Sequence, residues 1–223
     1  TDGVNYHIFR YEKGNPNLNP EESYQLDAGI HWGNDRLTIQ FDPYLNYFPN
    51  YIYMNPTPNY YEGLQWYYYT QSRVIRCGFE LQADWKILPS LSAEFKGEYL
   101  YAEQLSGEKK GYTLPFSTPW SADATLRYAF CRKNVGNEGF VAMNMHVTGR
   151  QNNIVPPEKP TPGYYTLNLT AGKDFAFGER TLRLSLNAEN LLNRKYYDHT
   201  SFYRLIDVPE PGRNVALMAT FEF

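Results

Sequence analysis

Hydrophobic and polar residues alternate along nine segments of the chain, each about ten residues long. Within Thr181–Leu191, for example, leucines occupy positions 182, 184 and 186, whereas positions 183, 185 and 187 carry Arg, Ser and Asn. This alternation is typical of a strand whose two faces meet different surroundings. The nine predicted strands are Ser23–Gly33, Asp35–Tyr47, Val74–Lys86, Leu91–Glu103, Ser121–Phe130, Phe140–Gly149, Tyr164–Phe175, Thr181–Leu191 and Asn214–Phe223.

The polar faces of these strands are rich in charged residues. An Arg or Lys that faced lipid near the centre of a membrane would cost about 2–4 kcal/mol, so charges that share one face need polar surroundings on that face. The pattern therefore indicates a sheet with one apolar and one hydrated side. The charged residues predicted on the hydrated side are Asp27, Arg36, Asp42, Arg76, Glu80, Asp84, Lys86, Glu94, Lys96, Glu98, Asp123, Arg127, Lys173, Arg183 and Glu189.

Short and long connections alternate between the predicted strands. The short turns "ND", "LPS" and "GER" alternate with long segments such as "QLSGEKKGYTLPFSTPW" and "QNNIVPPEKPTPG", and only "CRKNVGNEG" (Cys131 to Gly139) is of middling length. Outer-membrane barrels have short turns in the periplasm and long loops outside the cell. Strands of about ten residues, tilted near 45°, also match the apolar band of about 25 Å in such barrels.

Aromatic residues gather near the strand ends. Eleven of them lie from Tyr44 to Tyr69, and aromatics make up 17% of the chain. Tyr and Trp combine an apolar ring with a polar group, so they favour the boundary between lipid and water. The last predicted strand ends on Phe223, which we expect at the periplasmic boundary as part of the inner aromatic girdle.

Composition excludes several classes of protein. The 223 residues carry a net charge of −3 without a basic block, which argues against a nucleic-acid partner. No apolar run is long enough for a membrane-spanning helix. The mean hydropathy of −0.60 still allows barrel strands, because only one of their faces is apolar.

Several motifs resemble TonB-dependent outer-membrane receptors. "GNPNLNPEESYQLDAGIHW" (Gly14 to Trp32) resembles a loop-and-strand motif of that family. "LNAENLLNRKYYDHTSFY" followed by "PGRNVALMATFEF" resembles its C-terminal signature, and "GFELQADW" and "TPGYYTLNLTAGKDF" fit the same template. The resemblance covers nearly the whole chain and points to the iron and metal uptake branch.

The resemblance implies an all-β, antiparallel transmembrane β-barrel in the outer membrane of a Gram-negative bacterium. Such receptors have 22 strands around a plug domain, and this chain supplies about nine C-terminal strands. Residues 1–22 are then an extracellular loop segment and residues 23–223 belong to the barrel. The implied partners are outer-membrane lipid, the plug and remaining strands of the same protein, and the inner-membrane TonB system, reached through the N-terminal part. A fragment of nine strands would leave two unpaired sheet edges.

The resemblance further implies active import of a scarce nutrient, with a small metal-containing ligand such as a siderophore, haem or zinc complex favoured. An oligosaccharide is the less favoured substrate. A passive porin or structural barrel and a soluble β-sandwich remain alternatives. The sequence leaves open the identity of the ligand, the oligomeric state and any surface lipoprotein over the mouth.

Candidate site residues fall in two groups. In the predicted extracellular segments, Asp198 and His199 place a His beside a carboxylate, an arrangement that can ligate a metal or form a solvated loop contact. The mouth candidates are Tyr53, Tyr60, Asp198, His199, Tyr203 and Arg204. The candidates that face the lumen or plug are His31, Arg76, Glu80, Glu98, Arg127, His146, Arg183 and Glu189.

Catalytic chemistry has little support in the sequence. A barrel hydrolase needs a nucleophile and a base placed together at the membrane face. His146 is the only mid-strand histidine of the later strands, and its position in the alternation points inward. The chain contains no Gly-rich phosphate loop, zinc-protease motif or Cys-x-x-Cys. We therefore predict a protein that is not an enzyme and needs no cofactor.

Overall fold

Twelve strands form one sheet in the computed structural model, which describes residues 2–130 and 138–222. Neighbouring strands are antiparallel, apart from one short parallel pair. The sheet is open, because β12 pairs only with β11 and the opposite edge strands pair only with β5. The strands are β1 (Gly3–Asn5), β2 (Arg10–Lys13), β3 (Tyr24–Asp27), β4 (Ile30–Gly33), β5 (Leu37–Tyr61), β6 (Leu64–Leu88), β7 (Leu91–Gln104), β8 (Ser121–Phe130), β9 (Gly139–Thr148), β10 (Tyr164–Phe177), β11 (Arg180–Glu189) and β12 (Asn214–Glu222).

The predicted all-β, antiparallel architecture is confirmed, and most strand bounds match closely, but β5 and β6 extend far beyond the predicted Asp35–Tyr47 and Val74–Lys86 at their mouth ends. The first predicted strand forms as two pieces, β3 and β4, which both pair with β5. Phe223 and residues 131–137 lie outside the described part of the chain, as do the predictions made for Phe223 and for most of Cys131 to Gly139. Within the described ranges, no helix is long and apolar enough to span a membrane.

Strand register places charges on one side of the sheet and apolar residues on the other. Asp123 lies opposite Lys96 on β7 and His146 on β9, whereas the neighbouring apolar row pairs Leu126 with Met143. All twelve described strands belong to this one sheet, so a soluble sandwich is not formed. Leu217 consequently keeps 75% of its surface exposed, as expected of a face that lipid covers.

Lys173 is a correction to the predicted polar face. Its register partner on β11 is Leu184, on the apolar side, whereas the adjacent Asp174 pairs with Arg183 on the polar side. The Lys173 ammonium lies 5.7 Å and 5.6 Å from the ring centroids of Phe130 and Phe175. Lys173 also pairs with the first residue of β9, near a sheet end, where a long side chain reaches the polar boundary.

The longest predicted loop, residues 48–73 between the second and third predicted strands, is largely a β-hairpin. β5 and β6 each run for 25 residues and meet at Glu62 and Gly63, whose φ angles of 50° and 81° form the turn. Register shifts between Phe48 and Tyr51, and between Pro56 and Tyr60, interrupt the pairing. Because each bulge changes which face a side chain occupies, the period-2 signal is lost although the strand continues.

The first 22 residues also contain strands. β1 and β2 form a short hairpin, and β2 pairs in parallel with the far end of β6, where Tyr11 lies opposite Trp66. This hairpin and the long connections lie at one end of the sheet, which we call the mouth. The short turns after β4, β6 and β10 lie at the other end.

Candidate functional site

Glu158 is the centre of the packed mouth loops. Arg204 Nη2 donates to its Oε1 at 2.7 Å, and the backbone N–H of Phe116 donates to the same oxygen at 3.0 Å. His199 Nε2 lies 3.7 Å from Oε1. The side chains of Glu158, His199 and Arg204 keep only 2%, 1% and 7% of their surface exposed. We call these three residues with Phe116 the mouth hub, because they join the loops that follow β7, β9 and β11.

Aromatic rings surround the mouth hub and connect it to the β5–β6 hairpin. Phe116 packs edge-on against Phe202 with 5.0 Å between centroids, and the Arg204 guanidinium lies 4.9 Å from the Phe116 ring. Arg10 of β2 lies 5.0 Å and 5.1 Å from the rings of Tyr67 and Phe202. Four separate stretches of chain are therefore held together by contacts among aromatic rings and guanidinium groups.

The predicted mouth candidates are only partly brought together. His199 and Arg204 belong to the mouth hub, and Tyr60 lines a cleft of about 300 Å³ beside Glu158 and Arg204. Tyr203 packs against Phe9, with 5.8 Å between ring centroids. Tyr53 packs in a small buried cluster with Val74, Ala102 and Leu114, and it lines a different cleft, which it shares with Phe116.

Asp198 and the Nδ1 atom of His199 form hydrogen bonds within the mouth loops, whereas His199 Nε2 is buried without a hydrogen-bond partner in the described part of the chain. Asp198 accepts from the Tyr164 hydroxyl at 2.7 Å and from the Thr200 backbone N–H at 2.8 Å. His199 Nδ1 lies 3.0 Å from the Thr161 hydroxyl. Within the described ranges, no group of three or more His, Cys, Asp or Glu residues has a geometry that could hold a metal ion. Their role as metal ligands stays a prediction.

His199 is neutral at pH 7. Burial, together with the nearby Arg204 charge, lowers its pKa to about 4 against the opposing effect of Asp198. The contact with Glu158 is therefore not an ion pair at neutral pH. Burial raises the pKa of Glu158, although Arg204 and the Phe116 N–H favour its ionised form.

We expect the mouth loops to loosen as the pH falls from 6.5 towards 4. An exposed His binds a proton near pH 6.5, so the released loop binds more protons than the packed one in this window. The stabilisation that buried, neutral His199 gives to the packed loops is present in full above pH 6.5, and it is lost as the pH falls towards 4. Hydrogen–deuterium exchange of residues 150–163 and 191–212, corrected for intrinsic rates, should accelerate roughly tenfold or more at the acidic end.

His199→Gln provides the comparison, since it removes the titrating group. In this variant Glu158 still titrates, and its raised pKa makes its contribution grow as the pH falls, opposite to the effect of His199. Equal acid loosening in both proteins would show that His199 is not the responsible group.

The predicted lumen candidates share the polar side of the sheet. His146 Nδ1 lies 3.0 Å from Asp123 Oδ2, and its Nε2 lies 2.9 Å from the Thr148 hydroxyl. A shallow depression of about 380 Å³ includes Glu80, Glu98 and His146 in its lining.

The remaining lumen candidates are spread along this polar side. The Arg127 guanidinium lies 3.5 Å from the centroid of the Phe140 ring, and Arg183 forms a two-point pair with Asp174. Glu189 accepts from the Asn187 amide at 3.1 Å. His31 lies opposite Gln40, and Arg76 lies opposite Asn46. Contact of these residues with a plug stays a prediction.

Asparagine side chains shape the mouth end of β11. Asn190 has a φ of 47°, and its amide donates to Arg194 O at 2.9 Å while its carbonyl accepts from the Arg194 N–H at 2.8 Å. Asn193 accepts from the Arg213 N–H at 2.9 Å. Asn tolerates positive φ better than most residues, which explains its use here.

Sequence reasoning missed Glu158, Arg10 and Phe116. A lone Glu in the Pro-rich segment "NIVPPEKPTPG" carries no periodic signal. An available clue was that a loop with four prolines is pre-ordered and can hold a buried partner. Only the tertiary contacts reveal that Arg204 is that partner.

Known families and structures resemble the chain over most of its length. A family model described as "TonB dependent receptor-like, beta-barrel" matches residues 3–191. The copper transporter OprC superposes with a TM-score of 0.75 at 19% identity, over 90% of this chain and 31% of that chain. The ferric citrate transporter FecA, in the unliganded form, gives 0.68 at 19%, over 91% and 31%.

The FrpB iron transporter from Neisseria meningitidis superposes with a TM-score of 0.66 at 14% identity, over 93% of this chain and 31% of that chain. At these identities the similarity establishes the fold alone. The chain spans about a third of the length of the solved structures that it matches.

Proposed function

The chain belongs to the TonB-dependent receptor family, whose barrel model matches residues 3–191, and on this basis we propose that it forms the C-terminal barrel portion of a receptor that imports a metal or metal chelate across the outer membrane. Membership of this family of transporters agrees with the prediction that the chain is not an enzyme. An outer-membrane location follows from the family.

The observation that supports this proposal most directly is that the sheet has one apolar and one polar side. Its apolar side suits lipid, and its polar side, with the depression that includes Glu80, Glu98 and His146, suits a hydrated lumen or a plug. Solved structures with the same fold are of copper and iron transporters. A metal-containing cargo is therefore favoured over an oligosaccharide.

The proposed partners follow from the same premise. Outer-membrane lipid covers the apolar side, and further strands of the same protein pair with the two open edges at β12 and at β3 and β4. A plug domain fills the polar side, and the TonB system acts through that plug. We place the mouth outside the cell and the end of β12 at the periplasmic edge.

Uptake measurements test this function. In cells that express the full-length protein, we expect accumulation of labelled iron or copper that is lost when tonB is deleted or the proton gradient is dissipated. Uptake that persists without TonB, together with ion conductance of the purified protein in planar bilayers, would identify a passive porin. Energy-dependent uptake of oligosaccharides alone would contradict the proposed cargo.

A further inference from the structure

Aromatic rings mark the limit of the apolar face at the mouth end of the sheet. Val147 of β9 pairs with Ala122 of β8 and with Tyr165 of β10, so Tyr165 belongs to the apolar row. Trp120 directly precedes β8, and its indole covers Gly149 so closely that a Cβ there would lie 2.3 Å from it. Both rings are exposed on the outside of the sheet. Because Trp and Tyr favour the level where hydrocarbon meets headgroups, these rings place that boundary beside the mouth ends of β8 and β10.

Arg194 lies on one of these rings, at the level of the headgroups. Its guanidinium carbon lies 4.3 Å from the centroid of the Tyr165 ring. Asn190 holds the Arg194 backbone on two sides, since it donates to the carbonyl at 2.9 Å and accepts from the N–H at 2.8 Å. In the described part of the chain, the guanidinium has no hydrogen-bond partner. A guanidinium has five N–H donors, so Arg194 offers a positioned cation with its donors available.

Arg213 brings a second cation to the same boundary. Its backbone N–H donates to the side chain of Asn193 at 2.9 Å, which places it beside the residue that precedes Arg194. Arg213 directly precedes β12 and lies two residues before Val215, the register partner of Ala188 on the apolar row. The alternation of the strand therefore places Arg213 on the lipid side. Its side chain is exposed.

The carboxylates of the neighbouring segments do not neutralise these two arginines. Glu189, the last residue of β11, accepts from Asn187 on the polar side of the sheet. Asp198 accepts from the Tyr164 hydroxyl. Among residues 2–130 and 138–222, no ion pair includes either arginine. The boundary therefore carries two uncompensated positive charges beside aromatic rings, and such charges attract anionic headgroups.

We propose that Arg194 and Arg213 bind a phosphate group of lipid A, the anionic glycolipid anchor of lipopolysaccharide in the outer leaflet. Trp120 and Tyr165 contact the sugar and the first carbons of the acyl chains of the same molecule. Arginine suits this position, because its planar group lies on a ring and still offers the N–H groups of its edge to phosphate oxygens. The inference rests on the proposed orientation, in which the mouth lies outside the cell.

Native mass spectrometry of the detergent-purified full-length protein tests the site with three lipids. The lipids are phosphorylated lipid A, the same lipid A after removal of its phosphates, and phosphatidylglycerol. We expect phosphorylated lipid A to bind tightest. Arg194→Gln and Arg213→Gln should each weaken its binding about fivefold, and the double variant about twentyfold to thirtyfold, because each removes one cation near the lipid surface.

Arg180→Gln is the matched control. Arg180 is exposed, is the first residue of β11 and lies at the short-turn end, two residues before Leu182 on the apolar row. The substitution removes the same charge from the same face at the other boundary of the membrane, so the dissociation constant for lipid A should be unchanged. Weakening of equal size in this variant would reduce the effect to general electrostatics and overturn the proposal.

Three other results would also overturn the proposal. Equal binding of lipid A without phosphates would show that the phosphate is not recognised, and an unchanged double variant would show that the arginines are not responsible. Tighter binding of phosphatidylglycerol would identify a phospholipid site and contradict the proposed orientation.

The proposed function fails separately, when uptake does not depend on TonB. Arginine-dependent binding of lipid A without energised uptake would retain the lipid site and reject the transport function. Energised uptake by a protein that does not prefer phosphorylated lipid A would do the reverse.

Discussion

Arg204→Met is expected to destabilise the packed state of the mouth loops by about 3–5 kcal/mol, because it leaves the buried Glu158 carboxylate without its charge partner. The Arg204–Glu158 contact is 2.7 Å long and nearly inaccessible to water. Met retains much of the volume of Arg, so the loss is chiefly electrostatic. Hydrogen exchange of residues 150–163 should accelerate more than about a hundredfold in the full-length protein.

Two further variants separate the ion pair from general packing. Arg213→Met removes a charge from the same loop, where Arg213 is exposed and only its backbone N–H is bonded to Asn193, and it should change little. Combining Arg204→Met with Glu158→Gln removes both charges and should recover much of the protection, since the penalty arises from the unpaired carboxylate. Equal exchange in Arg204→Met and Arg213→Met would show that this ion pair does not hold the mouth hub together.

Leu186→Arg is expected to destabilise the barrel by about 2–4 kcal/mol, because it places a charge in lipid near the middle of β11. The register partners of Leu186 are Ala171 and Leu217, which are apolar neighbours on the same face. No acidic group is among them to offset the new charge. Urea unfolding of the full-length protein in lipid vesicles measures the change.

Ser185→Arg is the control for this substitution. Ser185 is adjacent to Leu186 on β11 and lies on the other face of the sheet, where its register partners are Gly172 and Met218. A hydrated or plug-filled side tolerates the added charge, so the free energy of unfolding should change by much less. If Leu186→Arg and Ser185→Arg destabilise the protein equally, the two faces of the sheet have the same surroundings, and the membrane assignment is wrong.

The sequence by itself determined the sheet and its sidedness. The two faces of each strand meet different surroundings, and this local requirement produces the alternation of apolar and polar residues in Thr181–Leu191 and the neighbouring strands. Family membership was also readable, because the motifs at the end of the chain are specific in combination. Lys173 is the exception: it was assigned to the polar side because of its charge, whereas it shares the position in the alternation of Leu169 and Phe175, on the apolar side.

The tertiary structure alone decided the mouth. The β5–β6 hairpin was hidden because bulges reset the alternation, so a continuous strand no longer has a continuous period. The contacts of Glu158 with Arg204, and of Arg10 with Phe202, join residues far apart in the chain. Such contacts depend on how separate loops fold over one another, and no periodic pattern of local sequence encodes that arrangement.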